Sequence, residues 1–197
     1  MRIFVGIPIS EDLGKKIEEW SSGFARDLRQ KEKFRFIKPK NLHITLVPPF
    51  DVSPSPQPFP ARGEGGKGEV PTLAEIIKKL KGVSRGVEPF KVRFDRVEFG
   101  PNKYQPRLIW ASGEAPKGIQ DLRLKIYEAL GKKVDDRPYR LHCTLARFGK
   151  MQNVEFGMQN EIITSVDWKI LVDHFVLYES KLFPQGAEYE ILEEFKL

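Results

Sequence analysis

The sequence has a single cysteine, Cys143, among its 197 residues. A lone cysteine forms no internal disulfide and provides no thiolate cluster for structural zinc. Neither kind of cross-link is therefore expected to stabilise the fold, and redox chemistry is not expected. Long apolar runs are also missing. No segment approaches the length that spans a bilayer, and the opening MRIFVGIPISED alternates like a strand, without the apolar centre of a signal peptide. These absences predict a soluble, cytoplasmic chain with no membrane partner.

The remaining composition is that of an ordinary globular protein. Hydrophobic residues make up 40% and charged residues 30% of the chain, and this length suffices to bury a core. We therefore predict one domain over residues 1–197, with no obligate protein partner. The formal net charge of +6 favours polyanionic partners such as RNA, because basic side chains that neutralise phosphates release counterions.

The pattern of apolar residues predicts an irregular mixture of strands and helices, which is typical of the α+β class. Apolar residues recur at three- and four-residue steps between Leu13 and Leu28, so a helix is expected there. A second helix should begin after Thr72 and end at Gly82. A third helix is expected at 119–130. Strands are expected at 2–7, 34–37, 43–47, 90–99, 107–111 and 141–148, and further strands or helices at 166–177 and 189–195. Residues 51–71 are so rich in proline and glycine that we predict an insertion loop.

Two of the three histidines lie in copies of one motif, HxTx, with leucine in the last position. Residues 43–46 read His-Ile-Thr-Leu and residues 142–145 read His-Cys-Thr-Leu. Side chains alternate along a strand, so each copy should present its histidine and threonine on one face and send its apolar residues into the core. The basic, aromatic residues before both copies suggest duplication. Two strands would then face each other across a pseudo-twofold cleft.

An imidazole pair in such a cleft is suited to acid–base chemistry at a phosphate. The usual histidine pKa, near 6.5, allows one ring to act as base while the other acts as acid. His43 and His142 are therefore the catalytic candidates, and Thr45 and Thr144 would stabilise charge on the non-bridging oxygens. The hypothesis is in-line attack of water with no metal and no cofactor. His174 has no threonine two residues later, so a structural or surface role is favoured for it.

The motifs and their surroundings resemble the two-histidine phosphoesterase superfamily, in particular its 2′,5′-RNA ligase-like RNA 2′,3′-cyclic phosphodiesterases. The similarity rests on residues 35–46, on residues 139–147 and on landmarks at 106–110, 177–180 and 184–187. It implies a bilobal fold in which two pseudo-symmetric antiparallel sheets, with flanking helices, surround a central groove.

The resemblance also implies a reaction and a set of roles. A terminal 2′,3′-cyclic phosphate on RNA would open to a 2′-phosphate, with 2′,5′-ligation as a reversible side activity. His43 corresponds to the family's proton donor, His142 to its proton acceptor, and Thr45 and Thr144 to its phosphate-binding hydroxyls. Arg147 stands where the family often has a basic residue, although strict alternation places it opposite to His142 unless a bulge intervenes.

Three further residues are candidates for substrate binding. Phe50 and Phe148 could stack a base, with core packing as the competing role, and Arg107 could contact RNA phosphates, whereas Trp110 is expected in the core. Where the family usually continues with Phe-Leu-Gly after the first motif, this chain has Val-Pro-Pro-Phe, so the mouth of the groove is open to remodelling and substrate size stays undecided. The alternatives are a 2′,5′-oligoadenylate, an RNA 3′ end or a small cyclic nucleotide as substrate, or a non-catalytic RNA- or nucleotide-binding module.

Overall fold

A computed structural model describes residues 1–27, 34–53, 71–101, 106–148, 162–184 and 186–197 of this chain. The predicted insertion loop lies largely outside these residues, as does the Leu28 end of the first predicted helix. Among the residues that the structure describes, no helix combines the length and the apolar character needed to cross a bilayer.

Three α-helices occur in the described part of the chain: α1 (Glu11–Asp27), α2 (Leu73–Ser84) and α3 (Lys117–Ala129). Thr72 caps α2 as predicted, because its side chain accepts a hydrogen bond from the Glu75 backbone while the Glu75 carboxylate accepts one from the Thr72 backbone. The predicted end of α2 at Gly82 is wrong. Val83 continues the buried stripe one turn after Leu80, and this burial outweighs the cost of about 1 kcal/mol for a helical glycine.

The described strands form one sheet. They are β1 (Arg2–Pro8), β2 (Phe34–Phe36), β3 (His43–Asp51), β4 (Phe90–Gly100), β5 (Leu108–Gly113), β6 (Leu141–Phe148), β7 (Ile162–Val172), β8 (His174–Phe183) and β9 (Gly186–Lys196). All described strand pairs are antiparallel, and the order is β7-β4-β5-β6-β3-β1-β8-β9, with β2 beside β6.

Apart from β2, the sheet consists of two four-stranded halves that meet where β3 pairs with β6. The junction is a single residue pair, Ile44 opposite Cys143, whereas the neighbouring pairs β1–β3 and β5–β6 run for several residues. The two halves are therefore nearly separate antiparallel sheets that diverge on either side of this pair. This confirms the α+β class and the pseudo-symmetric pair of sheets, and it adds that one residue pair makes the sheet continuous.

A short connection shows that the sheet is strongly curled. The predicted segment 166–177 is in fact two strands, β7 and β8, which belong to opposite halves and are separated only by Asp173. Two virtual bonds of about 3.8 Å hold Val172 and His174 within roughly 8 Å of each other, although their strands are first and seventh in the sheet order. The two halves must therefore bend towards each other.

A hydrophobic core joins both halves to the helices. It contains alternate residues of β1, such as Ile3, Val5 and Ile7, together with Ile44 from β3 and Cys143 from β6. The other face of the sheet carries the remaining residues of the same strands, and the histidines and threonines of the two motifs lie on that face. The sheet's alternation thus separates a face that stabilises the fold from a face that is open to a ligand.

Candidate active site

The first motif follows the predicted alternation along β3. Ile44 and Leu46 are buried, at 0% and 1% exposure, while His43 and Thr45 are half-buried on the opposite face. The second motif repeats this on β6, where Cys143 is fully buried and His142 and Thr144 are half-buried. Cys143 thus packs as a small apolar group, and burial raises the pKa of its thiol to about 12.

The junction between the halves brings the two motifs together. Because Ile44 lies opposite Cys143 in an antiparallel pair, the next residues in register set His43 against Thr144 and Thr45 against His142. Each histidine therefore faces the threonine of the other motif. The Tyr139 hydroxyl, just before the second motif, donates a hydrogen bond of 3.0 Å to the Thr45 carbonyl and ties the two strands together.

Both imidazoles are held by the same backbone contact. Nδ1 of His43 lies 2.8 Å from the Asn41 carbonyl oxygen, and Nδ1 of His142 lies 2.8 Å from the Arg140 carbonyl oxygen. A carbonyl only accepts, so Nδ1 carries the proton in both rings and Nε2 is left to exchange a proton with a ligand. The repeat in sequence is therefore a repeat in ring orientation and tautomer.

His43 packs into a cluster of aromatic rings. Its ring centroid lies 4.9 Å from that of Phe4, 5.7 Å from Tyr178 and 5.1 Å from Tyr189. Gly6 lies beneath it on β1, where an added Cβ would stand 2.9 Å from the Ile44 carbonyl oxygen and 3.5 Å from the His43 ring. The absence of a side chain at this position permits the close packing of the ring.

His142 rests on one large ring instead. Trp110 on β5 stacks against it with a centroid distance of 4.2 Å and an interplanar angle of 28°, and the Arg140 guanidinium lies 5.2 Å from the Trp110 ring centre. Trp110 is 5% exposed, in agreement with its predicted burial, but it lies on the face of the motifs. The sequence pattern did not indicate this contact with His142.

Burial lowers the pKa of both histidines. The pKa of His43 falls from the usual 6.5 to about 4, mainly through burial, with the positive charges of His142 and Arg147 contributing and the Asn41 hydrogen bond opposing. The pKa of His142 is also lowered, mainly by burial, with the positive charge of Arg140 contributing, while the hydrogen bond to the Arg140 carbonyl and the charge of Glu98 oppose the shift. A bound phosphate would add negative charge beside both rings and would therefore raise the pKa of each.

A β-bulge brings Arg147 onto the face of the motifs. Thr144 lies opposite Trp110 and Ala146 opposite Ile109, so β6 has one extra residue, Leu145, between these pairs. The extra residue reverses the alternation, and Arg147 pairs with Leu108, which shares a face with Trp110. The same register shift occurs after Thr45, where Gly6 pairs with Thr45 and Val5 with Val47.

Arg147 lines a cavity of about 180 Å³ beside the first motif. Arg35 lies directly opposite Arg147 in the β2–β6 pair and lines the same cavity. Tyr189, which touches the His43 ring, forms another part of its wall. Two guanidinium groups thus line a cavity on the His43 side of the site, and such groups suit an anionic substrate.

The other candidates for substrate binding do not join this group. Phe50 lines a separate cavity of about 570 Å³ against helix α3. The Lys132 ammonium lies 3.8 Å from the centre of the Phe50 ring. Phe148 packs between Phe34 and Phe99, with centroid distances of 5.0 and 6.0 Å. Arg107 is exposed just before β5, where alternation from Leu108 points it away from the motif face.

His174 is also placed apart from the pair. It begins β8, and its Nδ1 lies 2.6 Å from the Asp173 carboxylate. Among the described residues, no group of three or more histidine, cysteine, aspartate or glutamate side chains could hold a metal ion.

Comparison with known proteins covers nearly the whole chain. The model of the 2′-5′ RNA ligase superfamily matches residues 12–181. The RNA 2′,3′-cyclic phosphodiesterase of Archaeoglobus fulgidus is 26% identical over 199 residues, which cover 100% of both chains. The protein of the same name from Thermus thermophilus is 25% identical and covers 100% of this chain and 90% of its own.

Solved structures share the fold. A protein from Thermus thermophilus superposes with a TM-score of 0.70 at 23% identity, covering 100% of this chain and 98% of its own. Escherichia coli LigT in its apo form gives 0.63 at 21% identity, covering 99% and 96%. LigT has also been solved with 3′-AMP and with phosphate.

Proposed function

This chain belongs to the 2′-5′ RNA ligase superfamily, and from that premise we propose that it opens terminal 2′,3′-cyclic phosphates on RNA to 2′-phosphates. The observation that carries the proposal is the matched pair His43 and His142, each fixed through Nδ1 to a carbonyl and each set against the threonine of the other motif. Relatives that span the full chain bear the name of this activity.

The proposed reaction is an in-line displacement at phosphorus. One imidazole takes a proton from water as the water oxygen bonds to phosphorus, and the bond from phosphorus to the ribose O3′ breaks. The other imidazole gives a proton to O3′, which leaves the phosphate on O2′. Thr45 and Thr144 donate to the non-bridging oxygens, and Arg147 adds a guanidinium at the same site.

This chemistry places few demands beyond proton transfer and charge stabilisation. As proposed it uses no metal and no cofactor and acts on RNA ends in the cytoplasm. When a 5′ ribose hydroxyl replaces water as the nucleophile, the same displacement forms a 2′,5′ linkage, and this ligation is reversible. A 2′,5′-oligoadenylate, an RNA 3′ end and a small cyclic nucleotide remain alternative substrates, because each presents a phosphodiester to the same pair. The two intact motifs argue against a non-catalytic binding module.

The test is turnover of an RNA oligonucleotide with a 2′,3′-cyclic phosphate end in the presence of EDTA. Chromatography against authentic 2′-phosphate and 3′-phosphate products identifies the bond that breaks. We expect the 2′-phosphate at an undiminished rate, and the same assay on the three alternative substrates ranks them. A 3′-phosphate product, or activity that disappears with EDTA and returns with a divalent cation, would contradict the proposal.

A further inference from the structure

A second cavity lies at the far end of the first motif strand, apart from the cavity that Arg147 lines. Its volume is about 570 Å³. One wall is the end of β3, from Val47 to Phe50, and the other is the segment 132–136 between α3 and β6, together with Tyr127 of α3. The first wall is the sequence Val-Pro-Pro-Phe, with which this chain departs from the usual Phe-Leu-Gly of the family.

The cavity holds a lysine ammonium in a defined position. Nζ of Lys132 lies 3.8 Å from the centre of the Phe50 ring, and Phe50 itself packs against the hydrophobic core. A cation over a ring face is held there by the quadrupole of the ring. Burial lowers the pKa of Lys132, and no carboxylate contributes to this shift. The aromatic ring therefore positions this charge without an acidic partner.

The acidic residues of the second wall leave the cavity positive. Asp135 is paired with Arg137, whose Nη2 and Nε lie 2.6 and 3.1 Å from its carboxylate oxygens, and this pairing lowers the pKa of the Asp135 carboxyl. The other charges of the walls are Lys132, Lys133 and Asp136. Two ammonium groups thus face one further carboxylate, which leaves an excess of one positive charge.

A buried arginine adds to this positive potential. Arg123 on α3 is 9% exposed, and its Cζ lies 4.6 Å from the Tyr127 ring centre and 5.1 Å from the Tyr139 ring centre. Its Nη2 donates a hydrogen bond of 3.5 Å to the Tyr127 hydroxyl, which keeps its own hydrogen for another acceptor. A buried guanidinium rarely lacks an anion, yet the contacts described for Arg123 are two rings and a hydroxyl. An anionic ligand in the cavity would provide the missing charge.

The cavity is fixed in place relative to the catalytic strands. Tyr139, whose ring lies against Arg123, donates a hydrogen bond to the Thr45 carbonyl of the first motif. Thr45 and Phe50 both lie on β3, and about 16 Å of strand separates them. This interval exceeds the length of one nucleotide, so a ligand that reaches both places is a chain of nucleotides.

We propose that this cavity is an accessory RNA site, in which Lys132 and Lys133 bind a backbone phosphate of single-stranded RNA a few nucleotides away from the reacting phosphate. The inference rests on the proposed function, which brings an RNA end to the histidine pair. Phe50 is a positioning residue in this site: the Lys132 ammonium occupies one face of its ring, so Phe50 holds the cation in place of stacking a base.

Equilibrium binding tests the site without turnover. The probe is a fluorescein-labelled single-stranded RNA octanucleotide with a 3′-hydroxyl end, followed by fluorescence anisotropy over a series of salt concentrations. Lys132→Gln should raise Kd about three- to tenfold and reduce the slope of log Kd against log salt by about 0.7, as expected for one phosphate contact on a single strand. Lys132→Arg retains the charge and the ring contact, and it should bind within about twofold of the wild type.

Two further variants separate the site from general charge effects. Lys16 is exposed on α1, and Lys16→Gln, the matched loss of one positive charge, should change Kd by less than about twofold. Phe50→Leu keeps an apolar side chain but removes the ring, and it should raise Kd about threefold. Because the ring acts through the ammonium, the double variant of Phe50→Leu and Lys132→Gln should bind no more weakly than Lys132→Gln alone. Circular dichroism checks that every variant is folded.

Steady-state kinetics show which strand occupies the site. If it is the strand with the cyclic phosphate, Lys132→Gln should raise KM for an octanucleotide more than for a dinucleotide, which is too short to reach the cavity. If it is the second strand, Lys132→Gln should slow 2′,5′-ligation to an octanucleotide with a 5′-hydroxyl end.

Either kinetic result supports the accessory site. The proposal is overturned if Lys132→Gln weakens octanucleotide binding no more than Lys16→Gln does, if neither reaction responds, or if the dinucleotide is affected as strongly as the octanucleotide. Absence of cyclic-phosphate turnover in the wild type would overturn the proposed function, whereas the anisotropy measurements judge the RNA site independently.

Discussion

The position of the His43 ring depends on a residue without a side chain. Gly6 pairs with Thr45, and a Cβ added to it would meet the Ile44 carbonyl oxygen and the His43 ring. A methyl group at this position has no space, since the nearest obstacle is backbone rather than a flexible side chain. A side chain here would therefore displace the Ile44 backbone and press on the His43 ring.

We expect Gly6→Ala to displace β3 locally, lower kcat for cyclic-phosphate opening by about tenfold or more, and destabilise the protein by roughly 1–3 kcal/mol. Gly82→Ala is the control, because no atom lies within 4 Å of a Cβ at this helical position. It should leave kcat unchanged and stabilise the protein by about 0.5–1 kcal/mol. Steady-state kinetics give kcat and urea unfolding gives the stability of each variant. A Gly6→Ala protein that is fully active and as stable as the wild type would contradict this account of the packing.

At the scale of the element, the bulge at Leu145 decides which arginines reach the groove. It reverses the alternation of β6 and turns Arg147 onto the motif face, while Arg107, one residue before β5, points the other way. Both arginines are exposed, so exposure alone does not distinguish the one that faces the groove. The β-bulge at Leu145 makes that distinction.

Arg147→Gln should therefore raise KM for cyclic-phosphate RNA by about tenfold, since it removes a charge-assisted contact to the substrate phosphate. Arg107→Gln, the matched loss of one positive charge, should change KM by less than about twofold. Initial rates at constant ionic strength make the comparison. Equal effects of the two substitutions would show that β6 does not present Arg147 to the substrate.

The sequence predicts elements well where a local pattern determines them. The bounds of β6 agree with the predicted 141–148, the cap of α2 is at Thr72, and the period of two correctly separates His142 and Thr144 from Cys143. The bulge leaves only a faint trace in the sequence, two consecutive apolar residues after each threonine, at 46–47 and 145–146. Such a pair also fits an ordinary strand end, so alternation alone misplaces Arg147.

At the scale of the whole molecule, the site exists because two distant strands meet at one residue pair. The repeated motif predicted a cleft between two halves, but the meeting of Ile44 with Cys143 and the one-residue link at Asp173 depend on long-range pairing. Glu98 of β4 lies in line with Trp110 and Thr144, whereas Val176 of β8 lies at the equivalent position, in line with Gly6 and Thr45. This difference emerges only when the registers of six strands are compared. Sequence periodicity predicts the symmetry of the groove, while tertiary pairing creates its asymmetry.

The central claim is that His43 and His142 act as one unit on a single phosphate. The most direct measurement is a double-mutant cycle on the opening of a 2′,3′-cyclic-phosphate RNA end, with His174→Ala as the control for the loss of an imidazole outside the site. We predict that His43→Ala and His142→Ala each lower kcat/KM by on the order of 10³-fold or more, that the double variant is little worse than either single variant, and that His174→Ala is near wild type. Independent, multiplicative losses, or activity that survives either single change, would contradict the account.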